Sequence, residues 1–116
     1  MKLAIVGYRK FNDWNKFKEH IDEYVLKFGM PELIVSGGAS GADSLAERWA
    51  KIHKIPTLIM VPEWKKYGKS AGIRRNTNIV HECTHMIAFP SEKGRGTQDS
   101  IRKAEEEGKI IKVIKV

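Results

Sequence analysis

The sequence predicts an α/β fold: one Rossmann-like domain spanning residues 1–116, with a five-stranded parallel sheet and helices on both faces. Three observations lead there. Five short runs rich in Ile, Val and Leu recur along the chain, at 3–6, 33–35, 57–61, 85–89 and 110–114. Each is too short for a helix and reads as a strand buried on both faces, as parallel sheets require. Amphipathic segments alternate with these runs, giving β-α-β-α-β-α-β-α-β, the order that right-handed crossovers fold into a parallel sheet. No linker, repeat or low-complexity stretch interrupts the 116 residues, a length within the roughly 100–200 residues of one domain.

The elements follow in order. After the first strand, Trp14, Phe17, Ile21, Tyr24, Val25 and Phe28 recur at three- and four-residue steps and form one apolar stripe. Asp13 can cap that helix, and Gly29 followed by Met30-Pro31 ends it. The second helix carries Leu45, Trp49 and Ile52, with Ala42, Ala46 and Ala50 allowing close approach to the sheet. A third covers about 72–82, with Ile73, Ile79 and Val80 as its apolar positions. The fourth starts at a Thr97 cap, carries Ile101 and Ala104, and stops at Gly108.

Charge and composition narrow the partners. Twenty-one Lys and Arg against fourteen Asp and Glu leave a net charge of +7, which favours polyanions or phosphorylated small molecules. With 41% hydrophobic and 30% charged residues the chain is neither a disordered tail nor a fibre. No apolar run approaches the ~20 residues that span a bilayer, and the apolar start is too short for a signal peptide, so no membrane partner is expected. A single cysteine, Cys83, excludes an internal disulfide and multi-cysteine zinc modules, and points to a reducing cytoplasm. A chain this short buries only about two-thirds of its unfolded surface. That leaves room for a homodimer or larger assembly covering Trp14 or Trp64.

Sheets of this kind bind ligands beyond the carboxyl ends of the strands, near the reversal in strand order. The loops there hold the unusual residues. After strand one come Gly7, Tyr8 and Arg9; the glycine allows a tight turn and the arginine meets an anion. After strand two, Ser36-Gly37-Gly38-Ala39-Ser40-Gly41-Ala42-Asp43 leads directly into a helix and bares several N–H groups beside its positive end. The spacing is neither the dinucleotide fingerprint nor a P-loop. Asp43 either accepts from a ribose hydroxyl or complements the helix dipole.

After strand three, Trp64 and Tyr67 stand among Lys65, Lys66 and Lys69, ring faces beside cations suited to a base and its phosphates. Gly68-Lys69-Ser70 imitates a P-loop, but the position five residues before Gly68 holds Glu63. Arg74-Arg75-Asn76 opens the third helix, and a ~100° step between neighbours turns one arginine toward a ligand. After strand four, Gly94-Arg95-Gly96-Thr97 bends against another helix start, with Asp99 in its first turn, a second anion nest on the same edge. His81-x-Cys83-x-His85 straddles a helix end and a strand start and reads as packing. Cys83 has no motif that places a base beside it.

Gly37-Gly38-Ala39-x-Gly41-Ala42-Asp43, Ala46-x-x-Trp49-Ala50, Pro56, Trp64-x-x-Tyr67-Gly68, Ala71-Gly72, Arg75-Asn76, Phe89 and Gly94-x-Gly96-Thr97 together resemble the YspA/YpsA-related branch of the SLOG superfamily. The resemblance runs in order over nearly the whole chain. It implies a Rossmann-like fold and a nucleotide pocket lined by Gly37, Gly38, Gly41, Asp43, Arg75, Asn76, Gly94, Gly96 and Thr97. Relatives it brings in are the "lonely guy" phosphoribohydrolases and the DNA-processing protein DprA. The hydrolases carry Pro-Gly-Gly-x-Gly-Thr-x-x-Glu, and here the glutamate position holds Ser100, with Asp99 one residue early.

The expected function is binding of a nucleotide or nucleotide-derived ligand, of ADP-ribose or nucleoside monophosphate type, by a sensor, carrier or sequestering module. Its site residues are Gly7, Tyr8, Arg9, Gly37, Gly38, Ser40, Gly41, Asp43, Trp64, Arg75, Asn76, Gly94, Arg95, Gly96 and Thr97. No cofactor and no metal is expected. An alternative is N-glycosidic hydrolysis of nucleoside monophosphates, for which Asp43, Glu47, Asp99 and Arg75 are the catalytic candidates. A further alternative, ranked below these, is single-stranded nucleic-acid binding, which the net charge and the DprA relationship favour.

Overall fold

The sheet order is β3-β2-β1-β4-β5 with every neighbouring pair parallel, in a computed structural model that describes residues 1–91 and 94–116. The strands are β1 (Lys2–Gly7), β2 (Leu33–Ser36), β3 (Thr57–Ile59), β4 (His85–Phe89) and β5 (Ile110–Val113). The helices are α1 (Trp14–Phe28), α2 (Ala42–Ile52), α3 (Trp64–Tyr67), α4 (Ala71–Glu82) and α5 (Arg95–Glu106). Strand order therefore reverses between β1 and β4, the Rossmann arrangement that the alternating pattern predicts.

Alternation along β1 builds two cores. Leu3 and Ile5 face one side, where Phe17, Ile21 and Tyr24 of α1 and Leu45, Ala46, Trp49 and Ala50 of α2 cover them. Ala4 and Val6 face the other, against Ile79 and Val80 of α4 and Ile101 and Ala104 of α5. Crossovers on opposite faces leave the loops after β1 and β4 diverging from adjacent strand ends, Gly7 beside Phe89. A crevice opens there.

The caps match the sequence at one helix and differ at another. Asp13 takes the N-cap of α1, its carboxylate accepting from the Lys16 amide at 3.1 Å. Asp13→Ala is expected to cost about 1 kcal/mol in urea unfolding; an unchanged midpoint would show that the cap contributes nothing. Helix α5 begins two residues before the expected Thr97 cap, with Gly94 at the N-cap, so Thr97 lies within the first turn and Asp99 beyond it.

Three other expectations are corrected. The outer strands β3 and β5 are not buried on both faces: Thr57, Ile59, Ile110 and Val113 are exposed, because both strands form the edges of the sheet, with a neighbouring strand on one side only. Ile52 and Ile73 face solvent rather than the core, and Phe28 is on its margin. The segment after β3 is not loop throughout. Glu63 O accepts from the Lys66 and Tyr67 amides to make the single turn of α3, and a 3₁₀ turn at Gly68–Ser70 joins it to α4. No helix among the described residues is long and apolar enough to cross a membrane.

Candidate functional site

A cleft of about 700 Å³ occupies the switch point, within the roughly 300–1,000 Å³ range of small-molecule sites. The end of β1 and the loop after it contribute Gly7, Tyr8, Arg9 and Lys10; the β2–α2 loop Gly37 and Ala39, and the first turn of α2 Asp43; α4 supplies Arg75, Asn76 and Ile79. Ser91, Gly94, Gly96, Thr97 and Ser100 close the far side. The two glycine bends thus face one space. Glu92 and Lys93, part of the fourth loop read from the sequence, lie outside the described residues.

Close backbone approach makes the near wall. Gly7 packs so tightly that a Cβ there would stand 2.5 Å from the Ala42 Cβ and 3.0 Å from the Phe89 O. Gly41 adopts φ 77° and ψ −130°, and its α-carbon lies against the backbone of Tyr8 and Arg9. The Ser40 hydroxyl donates to the Arg9 carbonyl at 3.2 Å, tying the same two loops together. Gly38 points outward, where a Cβ would meet Ile59 and Val61 at 2.9 Å. So Gly38, Ser40 and Gly41 build the loop, while Gly37 and Ala39 line the cleft.

Two helix starts bring positive ends to the site. The first N–H groups of any helix lack intrahelical acceptors, and no side chain caps α2 or α5 among the described residues. The α5 turn is held in place from α4. Asn76 Nδ2 donates to the Gly96 carbonyl and to Asp99 Oδ2, both at 3.2 Å. Ser100 donates to the same carbonyl at 3.3 Å.

Arg75 is half-buried and braces the other bend, its Nη1 donating to the Gly37 carbonyl at 2.8 Å and its Nε to Asn76 Oδ1 at 3.0 Å. Burial holds its pKa below the ordinary value, partly offset by Asp43. Arg74, one residue earlier, turns away to Ser70 Oγ and the Tyr67 ring. Arg9 and Lys10 are exposed on the rim.

The three candidate carboxylates have different fates. Asp99 is held by Arg102 and Lys103 in ion pairs of 2.9 Å, and its pKa is lowered; burial opposes this, and the hydrogen bonds from Lys103 and Asn76 overcome it. Glu47 accepts from Ser36 Oγ at 3.2 Å and does not line the cleft. Asp43 does line it. Its Oδ2 accepts from the Ala39 amide at 3.1 Å, and only 7% of the residue is exposed.

Burial raises the Asp43 pKa from 3.8 to about 6, against the pull of the Ala39 amide and of Arg75. A folded-state value above the unfolded one means that Asp43 favours folding most below about pH 4, and that this advantage is lost as pH rises through 6. The size is on the order of 2–3 kcal/mol at 1.4 kcal/mol per unit. Asp43→Asn keeps an acceptor for Ala39 and removes the titration. Denaturant unfolding at pH 4, 6 and 8 should show the variant gaining on the wild type as pH rises. A difference constant across that range would remove Asp43 as its source.

Other predicted residues stand beside the cleft. Trp64 is 54% exposed and borders two smaller depressions, while Arg95 lines the larger of them. Lys10, Ser91 and Ser100 line the cleft without having been singled out as ligand contacts. Lys10 adjoins Arg9 in sequence, a signal that was there to use; Ser91 is brought in only by the path of its loop. His81, Cys83 and His85 go separate ways. His81 pairs with Glu107 at 2.9 Å, His85 packs on Phe28, and Cys83 is buried with its thiol pushed up to about 11.

Comparison with known proteins agrees with this architecture. Residues 1–67 match YAcAr, the YspA, cpYpsA-related SLOG family. The Gene 61 protein of Mycobacterium phage D29 is 29% identical, over 92% of this chain and 90% of that protein. The X-ray structure of DNA processing protein A (DprA) from Streptococcus pneumoniae superimposes with a TM-score of 0.76 at 20% identity, over 97% of this chain and 49% of that one. DNA processing protein A from Helicobacter pylori, whose structure concerns its single-stranded DNA binding mode, gives 0.72 at 22% identity, over 97% of this chain and 64% of that one. At such identities the likeness to the two DprA chains is one of fold.

Proposed function

The chain belongs to the YspA, cpYpsA-related SLOG family, and from that premise we propose that its switch-point cleft binds a nucleotide or nucleotide-derived small molecule, as a sensor, carrier or sequestering module. One observation carries the reading: the start of α5, which no side chain caps among the described residues, converges with Arg9, Lys10 and the braced Arg75 on a cavity of about 700 Å³. Bare amides at a helix start favour an anion, and the positive helix end adds to them. The apolar wall of Val6 and Ile79 offers a face to the sugar or base. Asp43, beside the Gly37 bend, is the acceptor within reach of a ribose hydroxyl.

Calorimetric titration with nucleoside monophosphates and ADP-ribose tests it. Arg9→Glu and Lys10→Glu change exposed residues and leave the fold intact. Together they should weaken binding at least tenfold at low salt. No heat from any phosphorylated nucleoside, or affinity untouched by the reversed charges, would overturn the reading. The same mixtures, chromatographed for free base, separate binding from N-glycosidic cleavage. Among the three candidate carboxylates, cleavage would fall to Asp43.

A second reading, single-stranded nucleic acid in the same cleft, is favoured by the fold shared with the Helicobacter pylori protein and by the net charge of +7. It differs in its salt dependence. Each phosphate contact on a single strand contributes a slope of roughly −0.7 in log affinity against log salt. A mononucleotide has no condensed counterions to release and shows only weak screening, whereas a bound strand gives the slope of several contacts.

A further inference from the structure

Beside the cleft runs a groove of about 370 Å³, bordered by Trp64, Lys69, Gly72, Ile73 and Arg95 and joined to the cleft through Arg9, Arg75 and Gly96. We infer that this groove takes a second base with its phosphate, so that the ligand carries two nucleoside units bridged by phosphate. The inference rests on the proposed nucleotide cleft and extends it by naming the size of what binds.

The aromatic residues sort themselves. Tyr67 already carries cations on its ring, Arg74 at 4.4 Å and Lys66 at 5.1 Å, and Tyr8 packs against Phe11 with centroids 6.1 Å apart. Trp64 has no ring or cation stacked on it among the described residues, yet it stands 54% exposed on a four-residue turn. An exposed indole is expensive to leave in water. A base laid on it recovers that cost through stacking.

The floor is bare as well. Gly72 lies beside the indole, where a Cβ would make only ordinary contact, 3.6 Å from Trp64 Cη2. Gly96, at the junction of cleft and groove, would meet nothing within 4 Å among the described residues. Neither glycine has a positive φ. Crowding and backbone strain therefore do not explain these two glycines. Both leave open space along the way from cleft to groove. Arg95 and Lys69 flank that path, with Arg9 shared by both spaces. The one carboxylate among the groove's described lining residues, Asp99, is already paired with Arg102 and Lys103, so a phosphate between two sugars would have cations on either side.

The test compares thymidine monophosphate with two probes that carry a second base, the dinucleotide pTpT and the pyrophosphate-linked NAD. At least one two-base probe should bind the wild type more tightly than the monophosphate. Trp64→Ala should weaken that probe roughly 10–100-fold, the usual range for loss of one stacked base. Monophosphate affinity should stay within about twofold, and Trp64→Phe should keep most of the gain. Unchanged thermal unfolding confirms that both variants fold. Which two-base probe responds identifies the bridge as phosphodiester or pyrophosphate. A monophosphate that binds as tightly as both probes overturns the groove and leaves the cleft standing. No binding of any probe overturns both. Affinity that climbs with each nucleotide added beyond two replaces the two-base ligand with a strand.

Discussion

Gly41→Ala is expected to lose about 3–5 kcal/mol of folding stability, and with it the wall of the cleft. Two costs combine. Gly41 holds φ 77° and ψ −130°, a conformation essentially reserved to glycine, which costs a residue with a Cβ about 1–3 kcal/mol. The added methyl would also press into the Tyr8 carbonyl and stand 2.6 Å from Arg9 C and O, so the overlap is with backbone and cannot be relieved by a rotamer. Overpacking of that kind costs typically 1–3 kcal/mol more. Gly68 provides the control. It has nearly the same dihedrals, φ 56° and ψ −133°, with nothing within 4 Å of its Cβ position, so Gly68→Ala carries the conformational cost alone. Urea unfolding of the two variants separates the terms. Equal losses would show that the contact between the β1–α1 and β2–α2 loops contributes nothing.

That contact also marks the limit of what the sequence discloses. The alternation of Leu3 and Ile5 with Ala4 and Val6, and of helices with strands, already implies a parallel sheet with two covered faces. It also implies where a crevice opens, because right-handed crossovers oblige it to lie at the strand carboxyl ends. The spacing of Arg74 and Arg75 is enough to turn one of them inward. Less local facts are not available this way. Whether Gly38 faces the cleft or Ile59 depends on the loop's path over β3. Whether Asp99 is free to act depends on Arg102, Lys103 and Asn76, two of them one turn away on the same helix and the third on another. The single turn of α3 rests on the Glu63 carbonyl, too short a signal for periodicity to detect. Thr97 is a good cap by type, yet the chain enters α5 two residues earlier, placing its side chain in the cleft wall instead.

Gly96→Asp should weaken ligand binding by roughly 100-fold at low salt while leaving the protein as stable as before, or more so. In most glycine substitutions a lost function is confounded with a damaged fold; here the two move in opposite directions. Gly96 is the second residue of α5, its φ is not positive and its Cβ position is open among the described residues. An aspartate there replaces a poor helix former and puts negative charge in the first turn, where it gains about 0.3–1 kcal/mol from the helix dipole. The same carboxylate enters the space assigned to the ligand phosphate. Two like charges about 4 Å apart near a protein surface repel by about 4 kcal/mol at an effective dielectric of 20, before salt screens them. Affinity should therefore fall by roughly 100-fold at low salt and recover in part as salt is raised. Gly96→Ala, which fills the same position without charge, should bind within a few-fold of the wild type. Calorimetry and thermal unfolding on the three proteins decide the matter. A folded Gly96→Asp protein with wild-type affinity would place the phosphate elsewhere, and equal losses in the alanine and aspartate variants would trace the effect to bulk rather than to charge.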